Sequence, residues 1–203
     1  MRYQMQADSQ ATRLQIIEGF CLSVERKGYG PTTIADIVKS AHVSKRTFYE
    51  QFATKEECFL AAYRELSDQT MQTVASVIDP AQPWERQIET AMRAYLSVLD
   101  ARPILARTFL LEILAAGSGA LELRRQVLHE FAELTRGFAD VARRRRPELR
   151  RLTATMAMAF VGGINELVLL KVEKTGRLTD LTETAVDLLR AVVAPLGKPR
   201  KPR

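Results

Sequence analysis

The chain has 203 residues, 46% hydrophobic and 27% charged, enough for one generous globular domain or two small ones, each with a core. Its net charge of +6 permits a polyanionic partner without requiring one. The longest apolar run, Met156 to Ile164, falls short of the roughly 20 residues of a membrane helix, and the first nine residues are too polar for a secretory signal, so a cytoplasmic chain with no membrane partner is expected.

Helical periodicity dominates from the start. Leu14, Ile17, Cys21 and Val24, with Phe20 beside them, predict a helix that Asp8 or Ser9 caps and Gly28 ends. After the turn at Gly30-Pro31, Thr32 or Thr33 caps a short helix bearing Ile34, Ile37 and Val38. A third helix is expected from Ser44 to about Phe52, and a fourth, capped by Thr54, carries Phe59, Leu60, Tyr63 and Leu66. Longer helices are expected from Trp84 to Asp100, from Pro103 to the Gly117–Gly119 stretch, and from Leu121 to Arg146. Two more are expected from Glu148 to about Lys174 and from Thr179 to Ala194. No alternating β pattern interrupts this, so the chain reads as all-α, with about nine helices.

The informative stretch is Thr32 to Phe52, two short helices joined by a tight turn. Ala35 is taken as the small residue where these helices approach closely, and Val43 as the plug of the turn. Phe48 and Phe52, four apart, form one buried face of the second helix. Ser44, Lys45, Arg46, Thr47 and Tyr49 then point elsewhere, a set of hydroxyls and cations suited to phosphate oxygens and base edges. The helix start adds unpaired N–H groups that favour phosphate. Thr33 and Lys55 are placed to hold the flanking DNA backbone.

This stretch resembles the DNA-binding domain of the TetR family of regulators. The matching residues are Thr33-Ile34-Ala35-Asp36-Ile37, Ala41-His42-Val43-Ser44, Thr47-Phe48-Tyr49-Glu50-Gln51-Phe52, and Lys55-Glu56 followed by Phe59-Leu60. The likeness covers residues 10–70. In the family the turn usually carries glycine where His42 stands here; histidine enters the left-handed region more readily than most residues. The resemblance implies that Thr33, Tyr49 and Lys55 position the DNA backbone, and that Ser44, Lys45, Arg46 and Thr47 supply base contacts. Arg46 stands where the family often has a small residue, as a reader of guanine or a holder of phosphate. It also implies that residues 71–196 form a helical effector-binding and dimerisation domain. The partners expected are operator DNA, a second copy of the chain and a small-molecule effector of unknown identity; repression and activation both remain open.

Within that larger half, Ala154, Met156, Ala157, Met158, Ala159, Gly162 and Gly163 make one helix small-faced, and glycine there costs about 1 kcal/mol unless close approach compensates. The next helix carries Leu181, Ala185, Leu188, Leu189 and Val192. Ala157, Gly162, Gly163, Leu188 and Val192 are therefore expected at a two-fold interface. Tyr95, Phe109, Glu112, Phe138 and Asn165 are the candidate effector contacts, alongside Trp84 and Phe131, though each has an ordinary core or surface reading. His129 and the run Arg143–Arg146 read as solvated, as does the basic tail at residues 197–203. Cys21 and Cys58 read as small buried thiols. With two cysteines and two histidines, none at ligand spacing, no metal or cofactor is expected. No paired carboxylates or nucleophile–base set supports the rival reading of a helical enzyme.

Overall fold

A computed structural model describes residues 2–116, 118–174 and 176–194. The basic tail lies outside the described residues. Among the described residues there are nine α-helices, two short 3-10 turns and no strand. The helices are α1 (Arg2–Lys27), α2 (Ile34–Ala41), α3 (Lys45–Gln51), α4 (Lys55–Ser76), α5 (Trp84–Ala101), α6 (Pro103–Leu111), α7 (Ser118–Arg145), α8 (Ala154–Glu173) and α9 (Thr182–Val193). The described residues divide into two compact units, one of those up to Thr70 with those from Ala101 to Arg124, the other of Met71–Asp100 with those from Arg125 to Ala194.

In the first unit α1 is longer than its apolar pattern suggests. It starts at Arg2, not at Ser9, because nothing between them is a glycine or proline that would stop it. The buried stripe is Ile16, Ile17, Phe20, Cys21 and Val24, while Leu14 is 37% exposed and falls off it. Phe20 meets Phe59 of α4 edge-on at 6.1 Å, and Tyr29 packs on Phe59 at 4.9 Å. Burial pushes the Cys21 thiol up to about 12 and the Cys58 thiol higher still, so both stay protonated and behave as small apolar groups.

The close helix approach is not at Ala35, which is exposed. It lies one element earlier, at Gly19. A Cβ there would sit 2.5 Å from the Ala41 Cβ and 2.8 Å from the Ile37 carbonyl oxygen. The α6 helix joins this unit through Arg102, whose guanidinium makes paired bonds to Glu25 (2.8 and 2.9 Å) and to Glu18 (3.0 and 3.1 Å), two carboxylates seven residues apart on one face of α1. Phe109 of α6 packs on Phe59 and Tyr63.

In the second unit α8 starts at Ala154, six residues later than Glu148. The residues before it bury Leu149 and Leu152 without being helical, and Arg150 N–H donates to the Val193 carbonyl at 2.9 Å. Thr153 supplies the cap that Pro147-Glu148 cannot, its hydroxyl accepting from Met156 N–H at 3.2 Å. By length and composition α8 would suffice for a membrane span. Phe160, Val161, Ile164 and Val168 face the unit's own core and Asn165 bonds Tyr95, while the rest of the helix is largely unburied. The arginine run at the end of α7 is not simply solvated. Arg143 donates to the Leu149 carbonyl, Arg145 to the Pro80 carbonyl, and Arg146 pairs with Glu148 and Glu85.

Gly19→Ala is expected to lower the stability of the protein by about 1–3 kcal/mol, since the added methyl meets backbone that cannot step aside. Urea unfolding of both proteins checks this. A control at Gly137 of α7, where a Cβ meets nothing within 4 Å, is expected to be neutral or stabilising.

Candidate nucleic-acid interface

The two short helices are built by local chemistry that the sequence displays. Thr33 caps α2 and closes a reciprocal box with Asp36. The Asp36 N–H donates to the Thr33 hydroxyl at 3.3 Å, and the Thr33 N–H donates to the Asp36 carboxylate at 3.0 Å. The Thr33 hydroxyl itself donates to that carboxylate at 2.7 Å. Lys27 of α1 adds an ion pair to the other Asp36 oxygen at 2.6 Å. These partners hold the Asp36 carboxyl well below the usual carboxylate range, the Lys27 bond contributing most. At the far end His42 takes the left-handed conformation, φ 53° and ψ 39°, and its N–H returns to the Lys39 and Val38 carbonyls. Histidine thus does fill the glycine position of the turn. The next residue, Val43, closes it with an N–H bond to the Val38 carbonyl at 3.0 Å.

Ser44 caps α3 by accepting from the Thr47 N–H at 3.0 Å. Phe48 is fully buried, and Phe52 at the end of the helix is 1% exposed. Those anchors fix which face looks outward. Lys45 and Arg46 are exposed, and Tyr49 is 57% exposed, its ring edge-on to Phe48 at 5.6 Å. The Arg46 side chain pairs with Glu50 at 3.0 Å, but both are so open to water that the pair is weak and exchangeable. The structure therefore sorts the expected contacts. Lys45 and Tyr49 project into solvent, Arg46 does so while paired with Glu50, Ser44 and Thr47 bond one another at 2.8 Å while shaping the helix start, and Thr33 is engaged in its box. Lys55 points its ammonium at protein, not solvent: the Tyr29, Gly30 and Thr32 carbonyls accept from it at 3.1, 3.4 and 3.0 Å.

Two residues of this unit were not singled out from the sequence. Gln15 Nε2 donates to the Ala41 carbonyl at the end of α2 (2.7 Å), and Arg13 donates to the Gln51 carbonyl at the end of α3 (3.1 Å) with its guanidinium 4.2 Å from the Phe52 ring centre. Each satisfies a helix-end carbonyl that has no partner within its own helix. The available signal was a long polar side chain on the flank of α1's apolar stripe, which tells a reader that it reaches something but not what.

In the second unit, Tyr95 and Asn165 come together, the phenol donating to the Asn165 amide oxygen at 2.8 Å beneath the Phe131 ring. Phe138 lies elsewhere, lining a cavity of about 20 Å³ with Trp84, Ile88, Ala142, Leu189 and Val193. Such a space suits a single water, far short of the several hundred Å³ of an effector site. Phe109 and Glu112 belong to the first unit. The five candidate effector residues are thus distributed over three places. Of the expected interface set, Ala157 is fully buried in its own subunit, because α8 turns that side inward with Phe160 and Ile164. Gly162 and Gly163 are exposed, Leu188 is 42% exposed and Val192 half-buried. Ala159, Glu166 and Leu170 share the exposed side of α8.

This geometry agrees with comparisons to known proteins. Residues 23–62 match the family model for bacterial regulatory proteins of the tetR family. Over those residues the chain is similar to the TetR family. An uncharacterized HTH-type transcriptional regulator of Bacillus subtilis (strain 168), YhgD, is 28% identical over 94 residues, which are 46% of this chain and 49% of that protein. The chain thus matches about half the length of that relative. Among solved structures, the fatty acid degradation regulator FadR from Bacillus halodurans has a TM-score of 0.77 at 21% identity, covering 88% of this chain and 94% of its own. FadR from Bacillus subtilis, solved with stearoyl-CoA, has a TM-score of 0.76 at 19% identity, covering 89% and 98%. A tetR-family transcriptional regulator from Streptomyces coelicolor has 0.73 at 18%, covering 90% and 80%. At these identities the likeness is one of fold.

The Asp36 box gives a pH signature. A carboxylate held below its ordinary range stabilises the fold above the unfolded-state value near 4 and loses that contribution as pH falls through and below it. The stability gap between the wild type and Asp36→Asn is therefore expected to be constant from pH 5 to 8 and to shrink steadily below about pH 4. Thermal unfolding across that range measures it.

Proposed function

We propose that the chain is a cytoplasmic, dimeric repressor that binds a near-palindromic operator and releases it when a small molecule binds the larger unit. The observation that carries the reading is the outward set Lys45, Arg46 and Tyr49 on a helix whose orientation is locked by fully buried Phe48. Lys45 and Arg46 bring charge to phosphates and donors to base edges, and Tyr49 adds an aromatic hydroxyl at the groove wall. Ser44 and Thr47 act mainly by fixing the start of the helix, with their hydroxyls free to exchange partners on docking. Residues 10–70 serve as the DNA-binding domain and residues 71–196 as the effector and dimerisation domain.

The exposed glycines of α8 support the dimer. Gly162 and Gly163 contact nothing through the space a side chain would fill, so they earn no packing inside the subunit. A second α8 approaching that side, with Leu170 and Leu188 beside it, accounts for them. In a two-fold dimer the two α3 helices enter successive major grooves about 34–36 Å apart. An effector that binds better to a dimer of the wrong spacing releases the DNA by linkage. The half-buried Tyr95–Asn165 pair is the polar group proposed to orient that ligand, and no chemical turnover is expected of it.

Fluorescence anisotropy with the intergenic DNA beside the protein's own gene tests the reading. The wild type is expected to prefer that DNA over random sequence by at least ~10³ and to weaken steeply with salt. The Lys45→Ala, Tyr49→Ala double variant is expected to lose the preference while remaining folded. Stearoyl-CoA is the first effector probe, since the Bacillus subtilis fold neighbour was solved with it. No binding to any DNA at low salt by the folded wild type would refute the reading.

A further inference from the structure

We propose that Arg46 and Glu50 act as one unit in the major groove, in which the guanidinium reads a guanine and the carboxylate holds it in the reading posture. This rests on the DNA-binding reading above and names the base that the first turn of α3 seeks in each half of the operator.

Neither side chain serves the fold. The Arg46 side chain is 90% exposed and that of Glu50 56%, so neither adds packing. Their charges also stand at the wrong ends of α3. Its first turn holds Lys45 and Arg46 and no acid, while Glu50 is its last residue but one, and the helix dipole disfavours both placements. Within the pair the cation precedes the anion by four residues, which is the weaker of the two orders for such a bridge. An arrangement that lowers the stability of a seven-residue helix has its compensation outside the fold.

The geometry of the bridge sets what Arg46 offers to DNA. The Arg46 Nε–H, on the flank of the guanidinium, donates to Glu50 Oε1 at 3.0 Å. That bond leaves the two Nη nitrogens at the tip open, and a pair of parallel N–H donors complements guanine O6 and N7. A phosphate at the same tip would come close to the Glu50 carboxylate, and the repulsion between them grows as docking excludes water. A base edge carries no net charge and meets no such repulsion. The bridge, weak in water, strengthens in the same surroundings. Glu50 is thus a positioning residue that acts through Arg46.

The test starts from a duplex that the wild type selects from random DNA. Binding is measured to that site, to the same site with 7-deazaguanine at each guanine in turn, and to random DNA, across a salt series. Loss of N7 at one guanine in each half is expected to weaken wild-type binding by about tenfold or more. In Arg46→Ala the same replacement is expected to matter less than about twofold, and the slope of log affinity against log salt is expected to equal that of the wild type. Glu50→Gln keeps the shape and removes the charge. It is expected to reduce the effect of 7-deazaguanine, and to change it no further when Arg46 is already alanine. Both single variants are expected to melt at or above the wild-type temperature, which a structural bridge would not allow.

A phosphate contact predicts otherwise. Arg46→Ala would then weaken binding to the selected site and to random DNA alike, with a slope shallower by about 0.9 per contact, or about 1.8 for a dimer. That result, or a 7-deazaguanine effect left at its wild-type size in either single variant, overturns the inference and leaves operator binding standing. A folded wild type that selects no site from random DNA refutes the DNA-binding reading, and the inference with it.

Discussion

The fold of the first unit depends on how closely α1 lies against the end of α2. At Gly19 no side chain intervenes, and the Ala41 and Ile37 backbone comes within a distance that even one methyl would forbid. That contact brings a set of polar bonds into range. Ser23 reaches Ser40 at 2.9 Å, Gln15 reaches the Ala41 carbonyl, and Arg13 reaches the end of α3. Because α1 holds the last turn of both short helices, and Phe48 seals the side between them, α3 has one orientation available. The exposure of Lys45, Arg46 and Tyr49 follows from that constraint and not from any preference of their own. Arg102 extends the same frame to α6 through two carboxylates of α1, paired bonds whose geometry tolerates little drift.

What the sequence disclosed and what it hid divide along a physical line. Caps, turns and periodic apolar residues act over three or four positions, so the two short helices and the turn between them, a threonine cap at 32 or 33 and the burial of Phe48 and Phe52 were legible, whereas the Ser44 cap was not singled out. The left-handed His42 was legible because only a few residue types accept that conformation. Contacts between distant segments were not. Glycine at position 19 reads as a mere weakness in a helix until the partner helix is in view, and Ala35, the small residue in the motif itself, turned out to face solvent. Lys55 shows the same limit. A lysine at the start of a helix beside a DNA-reading motif invites a phosphate, and only the folded chain brings three carbonyls, 23 to 26 residues earlier, around it.

The larger unit was less legible because its helices offer apolar residues on several sides. The small residues of α8 form one composition but two faces, Ala157 turned inward and Gly162 and Gly163 outward. Composition alone could not separate packing within a subunit from packing between two. The effector candidates were chosen as polar or aromatic interruptions of apolar stretches, a criterion that found the Tyr95–Asn165 pair. It also gathered Phe109, whose ring serves the aromatic cluster around Phe59. The start of α8 was misplaced because Pro147-Glu148 resembles a helix opening, whereas Leu149 and Leu152 are buried by a non-helical segment that ends at the Thr153 cap.

The central claim is that a rigidly held α3 from each of two subunits reads one face of a duplex. Hydroxyl-radical footprinting on an operator selected from random DNA, with guanine-N7 methylation interference on the same fragment, tests it most directly. The account predicts two protected patches on one side of the helix, with interference at guanines in two major grooves centred about 10 base pairs apart. A single patch, or uniform protection with no guanine interference, would contradict it.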